Sequence, residues 1–272
     1  MDELARGPAL NRGGRAADLA RAVDFLHGFA RRRSPRQVPV PGGFAVLDDR
    51  FPGSYDDNKL IIHPASAAAG ESAPVTGEVL IAAADEVLAG RGHRLVCVDD
   101  DRLGTACAPA FAAAGYEHET NLVMAFRGPV PHDPPPAERL GLDELAPVLR
   151  RDWRRTLPQA TDEAIDGLVR RVEFRRDGAS AVGFWGVRAP DGSIAARADL
   201  YAHGGVAQIE SVFTGEDHRG NGHARALMRA LLARAAEAEL IFLVADADDW
   251  PRHFYARLGF EEAGRTHAFL RT

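Results

Sequence analysis

Val212-Phe213-Thr214-Gly215-Glu216-Asp217-His218-Arg219-Gly220-Asn221-Gly222-His223-Ala224-Arg225-Ala226-Leu227 runs from a strand-like stretch, through a loop, directly into a helical pattern. The strand reading rests on Val206 to Thr214. The helix reading rests on Leu227, Met228, Leu231, Leu232 and Ala235, which recur on one face. Between them, Gly220 and Gly222 permit positive φ and let a ligand approach the backbone closely. Such a turn aims successive backbone N–H groups at one point, and a helix start adds about half a positive charge there. Arg219 contributes a permanent guanidinium able to grip a phosphate through two hydrogen bonds. These residues predict a pyrophosphate site at a strand-to-helix turn, without saying whose pyrophosphate. A dinucleotide-binding fold requires G-x-G-x-x-G inside βαβ units. Here antiparallel hairpins come first, which disfavours it.

Upstream of the loop, Leu142 to Trp153 and Ala164 to Val172 carry apolar residues at helical spacing. Ala181 to Val187 reads as a strand, Asp191-Gly192 as a hairpin turn, and Ile194 to Leu200 as an alternating strand whose second face includes Arg197 and Asp199. Gly204-Gly205 is a further turn. Downstream, Ile241 to Ala245 is a short buried strand. Pro251 suits the first turn of a helix through Phe254 and Leu258, Gly259 its end, and Phe260 to Leu270 the closing strand. Asp246, Asp248 and Asp249 read as caps of that last helix.

The first half ends in a similar way. Glu78 to Ala89 reads as a helix, Arg94 to Val98 as a buried strand, Thr105 to Ala114 as a helix ended by Gly115, and Asn121 to Phe126 as a strand. In Phe111-x-x-x-Gly115-Tyr116-Glu117 and in Tyr255-x-x-x-Gly259-Phe260-Glu261, an aromatic residue stands four before a Gly-aromatic-Glu. Both segments follow strands that end in aspartates, and we read them as a diverged tandem duplication. Asp99-Asp100-Asp101 reads as a solvated strand end. Gly128 to Pro136, with five prolines, is a stiff connector between the halves. The expected domains are therefore 1–131 and 137–272.

Composition narrows the function. The chain has 272 residues, 46% of them hydrophobic, with 33 basic and 39 acidic side chains and a formal charge of −6. An acidic balance argues against broad, salt-driven nucleic-acid binding. Two cysteines, Cys97 and Cys107, make no disulfide framework, and ten histidines show no metal-binding spacing, so no metal is expected. The start has no apolar core of a signal peptide and no run is long enough to span a membrane, so the expectation is a cytoplasmic protein with no membrane partner. Lys59 is the only lysine. Oligomeric state has no signature in the sequence.

Arg219-x-x-Gly222-x-Ala224, followed by Tyr255-x-x-x-Gly259-Phe260, resembles the R/Q-x-x-G-x-G/A loop and Tyr-x-x-x-Gly-Phe segment of the GNAT superfamily of N-acetyltransferases. The resemblance covers about residues 136 to 272. It implies an α/β (α+β) fold of two tandem acyl-CoA N-acyltransferase-like domains, each a mixed, mostly antiparallel sheet flanked by helices. It also implies acetyl-CoA as co-substrate, with its pyrophosphate on the amides of Arg219, Gly220, Asn221, Gly222, His223 and Ala224, and with Arg225 nearby. The pantetheine arm would lie along Val212, Phe213 and Thr214, and Asp248 stands where the family often has an asparagine near pantetheine. Glu216 replaces a frequent proline and is expected to face solvent.

By the same resemblance, Tyr255 would protonate the departing thiolate and Glu210 would take the proton of the attacking amine. The acceptor would be a primary amine of a small molecule or peptide, attacked directly because no cysteine lies in the matching region. The first half lacks the loop: no arginine occurs in Pro64 to Thr76, and Phe111 replaces the tyrosine. It reads as a degenerate copy without cofactor. A non-catalytic acyl-CoA-binding sensor and an interaction protein are the alternatives to an N-acetyltransferase.

Overall fold

Local sequence rules account for most elements of the computed structural model, which describes residues 14–63 and 74–272. Most of the arginine-free stretch of the first half therefore lies outside the described residues. The first half forms α1 (Arg15–Arg33), β1 (Arg36–Val40), β2 (Gly43–Leu47), β3 (Lys59–Ile62), α2 (Gly77–Val87), β4 (Arg94–Val98), α3 (Asp101–Ala113) and β5 (Glu117–Phe126). The second forms β6 (Glu138–Arg139), α4 (Leu142–Thr156), α5 (Asp162–Arg170), a 3-10 segment (Arg171–Gly178), β7 (Ala181–Arg188), β8 (Ile194–His203), β9 (Val206–Thr214), α6 (His223–Arg234), β10 (Leu240–Asp246), α7 (Pro251–Arg257) and β11 (Phe260–Arg271). Both aromatic-to-glycine segments are helix ends. Gly115 (φ 79°) and Gly259 (φ 97°) turn α3 into β5 and α7 into β11, a left-handed step that costs glycine little.

Two aspartate runs differ from expectation. Asp99 to Asp101 is not a solvated strand end: Asp99 Oδ2 meets His27 Nε2 at 2.7 Å, Asp100 caps α3 by accepting the Leu103 N–H at 2.7 Å, and Asp101 pairs with His267 at 3.0 Å. That cap starts α3 four residues before the apolar pattern does. Conversely, the downstream aspartates do not cap α7. Trp250 occupies the N-cap position with helical dihedrals and no side-chain cap bond. Asp249 instead accepts the Trp250 N–H at 2.7 Å, and Asp246 the Asp248 N–H at 2.8 Å, both upstream of the helix.

The eleven strands among the described residues join one sheet, in the order β1-β2-β3-β4-β11-β5-β10-β9-β8-β7-β6. Only β3–β4 and β9–β10 are parallel. The two halves exchange their last strands: β5 pairs with β10 of the second half, and β11 with β4 of the first. The exchanged strands pair with each other from Phe260↔Phe126 to Leu270↔Glu117 at the centre. Packing follows the exchange. Leu122, Met124 and Phe126 of β5 sit in the core under α6 and α7, while Phe269 of β11 sits in the core under α2 and α3. On the opposite face α1 packs Ala22, Phe25 and Phe29 against Val123, Tyr201 and Phe242, bridging the halves. No helix among the described residues is long and apolar enough to cross a membrane.

Candidate active site

The second half opens its sheet where the sequence places the loop. β9 and β10 are paired only from Val206↔Leu240 to Gln208↔Phe242. Beyond that, β9 continues to Thr214 and β10 to Asp246 without pairing to each other, leaving a cleft between them. On its other edge β9 carries a bulge: Asp199 faces Glu210 and Arg197 faces Phe213, so Ser211 and Val212 together oppose one residue of β8. Ser211 has φ 55°, the one non-glycine among the described residues with positive φ. The bulge re-aims Val212, Phe213 and Thr214, which keep backbone groups on the cleft edge.

After β9, Glu216–His218 forms a short 3-10 turn, and Gly220 (φ 81°) and Gly222 (φ 79°) take left-handed conformations. A Cβ built at either glycine meets no atom within 4 Å, so the loop borders open space. Gly222 is the N-cap of α6 with no side-chain cap bond, and the first α6 turn holds no acidic residue. The first helical bond runs from the Ala226 N–H to Gly222 O at 3.0 Å. The amides of His223, Ala224 and Arg225 are thus left without intrahelical acceptors. Arg219 and Arg225 are exposed. Asn221 folds back, donating to His218 O at 3.3 Å. Glu216 is exposed, as expected, and Arg155 of α4 holds its carboxylate. Asp248 is exposed beyond the end of β10.

Glu210 and Tyr255 lie on opposite faces of the sheet and meet electrostatically where the strands part. Tyr255 is buried in the core under α6 and α7, beside Phe254 and Phe260. Burial, then the nearby Glu210 and Asp249, pushes its phenol up to about 12. Glu210 is half-buried and accepts from Gln208 Nε2 at 2.8 Å. Burial raises its carboxyl above the ordinary range. The Arg175 guanidinium opposes that shift, while Asp56 and Asp199 add to it. This cleft can hold an extended ligand against the free strand edge, anchor an anion at the α6 turn, and place a base and a proton donor near each other. The open depression between α4 and α5, lined by Arg150, Glu163, Asp166 and Arg170, is built from none of these residues.

Sequence reasoning missed the groups around Glu210. Arg175, in the 3-10 segment, donates to Asp199 and, at 3.3 Å, to Ser211 Oγ. Tyr201 donates to the same Asp199 oxygen at 2.6 Å. Asp199 sat on the mixed face of an alternating strand, yet it is only 4% exposed. An aspartate between apolar neighbours in a strand was the signal. Asp56 comes from the other half, and nothing local in the sequence marks it.

Over residues 142–260 the chain matches the acetyltransferase (GNAT) family. Its fold is similar to a functionally unknown conserved protein from Staphylococcus epidermidis, with a TM-score of 0.64 at 13% identity over 87% of this chain and 93% of that one. It is also similar to a GCN5-related N-acetyltransferase from Kribbella flavida, with a TM-score of 0.61 at 20% identity over 95% and 96% of the two chains. A tandem GNAT protein from the clavulanic acid biosynthesis pathway matches with a TM-score of 0.52 at 17% identity over 94% of each. At these identities the likeness is one of fold. No curated protein matches. The splayed β9–β10 pair and the glycine turn into α6 lie within residues 142–260, the stretch that matches the acetyltransferase (GNAT) family, and the tandem GNAT protein shares the fold over nearly the whole chain.

Proposed function

We infer that this chain is an N-acetyltransferase that moves the acetyl group of acetyl-CoA to a primary amine of a small molecule or peptide by direct attack. The observation that carries the reading is the cleft between β9 and β10, closed at one end by the uncapped, acid-free start of α6. Gly220 and Gly222 border open space, which suits a pyrophosphate on the amides of residues 219–224 with Arg219 and Arg225 beside it. The free edge at Val212, Phe213 and Thr214 suits the amides of a pantetheine arm, and Asp248 stands at the far lip. Acetyl-CoA supplies the acetyl thioester. Glu210 accepts the proton of the acceptor ammonium, freeing the nitrogen lone pair to form the C–N bond. Tyr255, protonated at any ordinary pH, donates its proton to the sulfur as the C–S bond breaks. The products are the amide and free CoA.

The catalytic unit in this reading is 137–272, and 1–131 is a copy without cofactor. Support comes from the pairing of β3 and β4 in the described part of the first half. β3 ends at Ile62 and stays paired with β4 to Ile62↔Val98, and the Asp99 N–H then donates to Ile62 O at 2.8 Å. Among the described residues, up to His63, β3 therefore leaves no open edge toward β4.

Calorimetric titration with acetyl-CoA tests this reading. Wild type should bind one equivalent per chain. Gly222→Glu, which puts bulk and negative charge at the α6 turn, should lose binding. Turnover with a panel of primary amines should then follow in wild type alone. Binding without turnover on any amine would favour an acyl-CoA sensor, and no binding would favour an interaction protein.

A further inference from the structure

The 3-10 segment Arg171–Gly178 belongs to the second half but is held by the first. Arg171, 6% exposed, pairs with Asp57 at 3.1 Å and Asp56 at 3.4 Å. Arg33 of α1 reaches the same Asp57 at 2.5 Å. The Phe174 ring lies 5.5 Å from that of Phe51 and 3.9 Å from the Arg50 guanidinium. Gly178 receives Arg32 Nε on its carbonyl at 2.6 Å, and a Cβ there would fall 2.4 Å from the Phe29 ring. These three anchor positions flank Arg175.

Arg175 reaches the bulge of β9. It donates to Asp199, cross-strand partner of Glu210, and to Ser211 Oγ, next in chain after Glu210. Arg175 and Asp199 keep only 13% and 6% of their side-chain surface. Both bonds leave one guanidinium nitrogen, Nη1, so a single group holds both neighbours of the carboxylate.

We propose that Arg175 is a positioning residue for Glu210, fixing the β9 bulge and the Glu210 carboxylate, and that the first half serves the reaction by clamping the segment that carries it. The proposal rests on the catalytic reading above for its consequence, but not for its geometry. Glu210 is influenced by Arg175 of the 3-10 segment, Asp56 of the first half and Asp199 in the sheet, is hydrogen-bonded by Gln208, and acts on Tyr255 of α7 from across the sheet. Arg175 is the cation of this set. Without it, three carboxylates share the site and the proton on Glu210 is held more tightly.

Carboxyl carbon NMR of glutamate-labelled protein tests the proposal, with the Glu210 signal assigned by its loss in Glu210→Gln. In Arg175→Gln, Glu210 should titrate at higher pH than in wild type. In Arg175→Lys, which keeps the charge on a shorter side chain that does not reach the position of Nη1, the curve should fall between. The acid limb of kcat/KM for an acceptor amine that wild type acetylates should move the same way, with the acetyl-CoA Kd unchanged. Coincident Glu210 curves in wild type and in whichever variants fold would overturn the proposal. Absence of amine acetylation by wild type would remove the catalytic reading and leave the titration result standing.

Discussion

Phe269 stacks face to face on Phe111, with ring centroids 4.1 Å apart and 5° between the planes, although one belongs to the last strand of the chain and the other to its first half. Both rings are fully buried. The contact exists because β11 crosses to β4, and it has a counterpart in the β5 residues that complete the core under α6 and α7. Each half therefore leaves an apolar face bare unless the other supplies a strand.

This exchange predicts one cooperative unit. Phe269→Ala should destabilise the protein by about 3–5 kcal/mol, the usual cost of removing a large buried ring. It should do so in a single urea transition followed equally by far-UV circular dichroism and by tryptophan fluorescence. All three tryptophans, Trp153, Trp185 and Trp250, lie in the second half. A first half that melts early while the tryptophan signal stays native would show that the halves are independent.

The exchange also explains what the sequence concealed. β7, β9, α6, α7 and β11 were legible because hairpin glycines, a proline and apolar periodicity are local signals. The partner of a strand is not local. β5 and β11 both follow a helix and a left-handed glycine, and either would satisfy β4 or β10 by pattern alone. The loop residues, Glu210 and Tyr255 were named through a family resemblance, which points to positions in the chain and not to what surrounds them. Arg175 was not, because in Arg170-Arg171-Val172-Glu173-Phe174-Arg175-Arg176 it reads as one charge in a solvated run. Its burial comes from Asp199 and Ser211 in the sheet and from the packing of its segment on the first half, neither of which is local in the chain.

The pH dependence of turnover should be one-sided. In the proposed mechanism Glu210 is the base and must be ionised; its pKa lies above the ordinary carboxylate range, so activity should rise through an acid limb shifted up from that range. Tyr255 must stay protonated, and with its phenol pushed up to about 12 it remains so at all working pH values. No basic limb should arise from Tyr255 below about pH 10. Tyr255→Phe should lower kcat on the order of 100-fold, within the range of general-acid contributions, and leave the acetyl-CoA Kd unchanged. A basic limb below about pH 10 that disappears in Tyr255→Phe would contradict the raised phenol.

Asp57 tests the clamp from the far side. Its carboxylate is 7% exposed and lies between Arg33 and Arg171, with Ser54 Oγ donating at 2.5 Å. Burial works against its ionisation, but the two guanidinium groups hold its pKa below the ordinary value. A depressed folded pKa means stability that is present at neutral pH and lost as pH falls through it. Asp57→Asn leaves both arginines short of a charge partner and should cost about 3 kcal/mol at pH 7, as broken buried pairs do. The gap to wild type should narrow below about pH 4, where the unfolded chain begins to bind a proton at Asp57 that the folded protein takes up only at lower pH. Because Arg171 anchors the segment carrying Arg175, kcat should fall with little change in the acetyl-CoA Kd. A stability gap equal at pH 7 and pH 3 would show that the Asp57 charge is not what holds the segment.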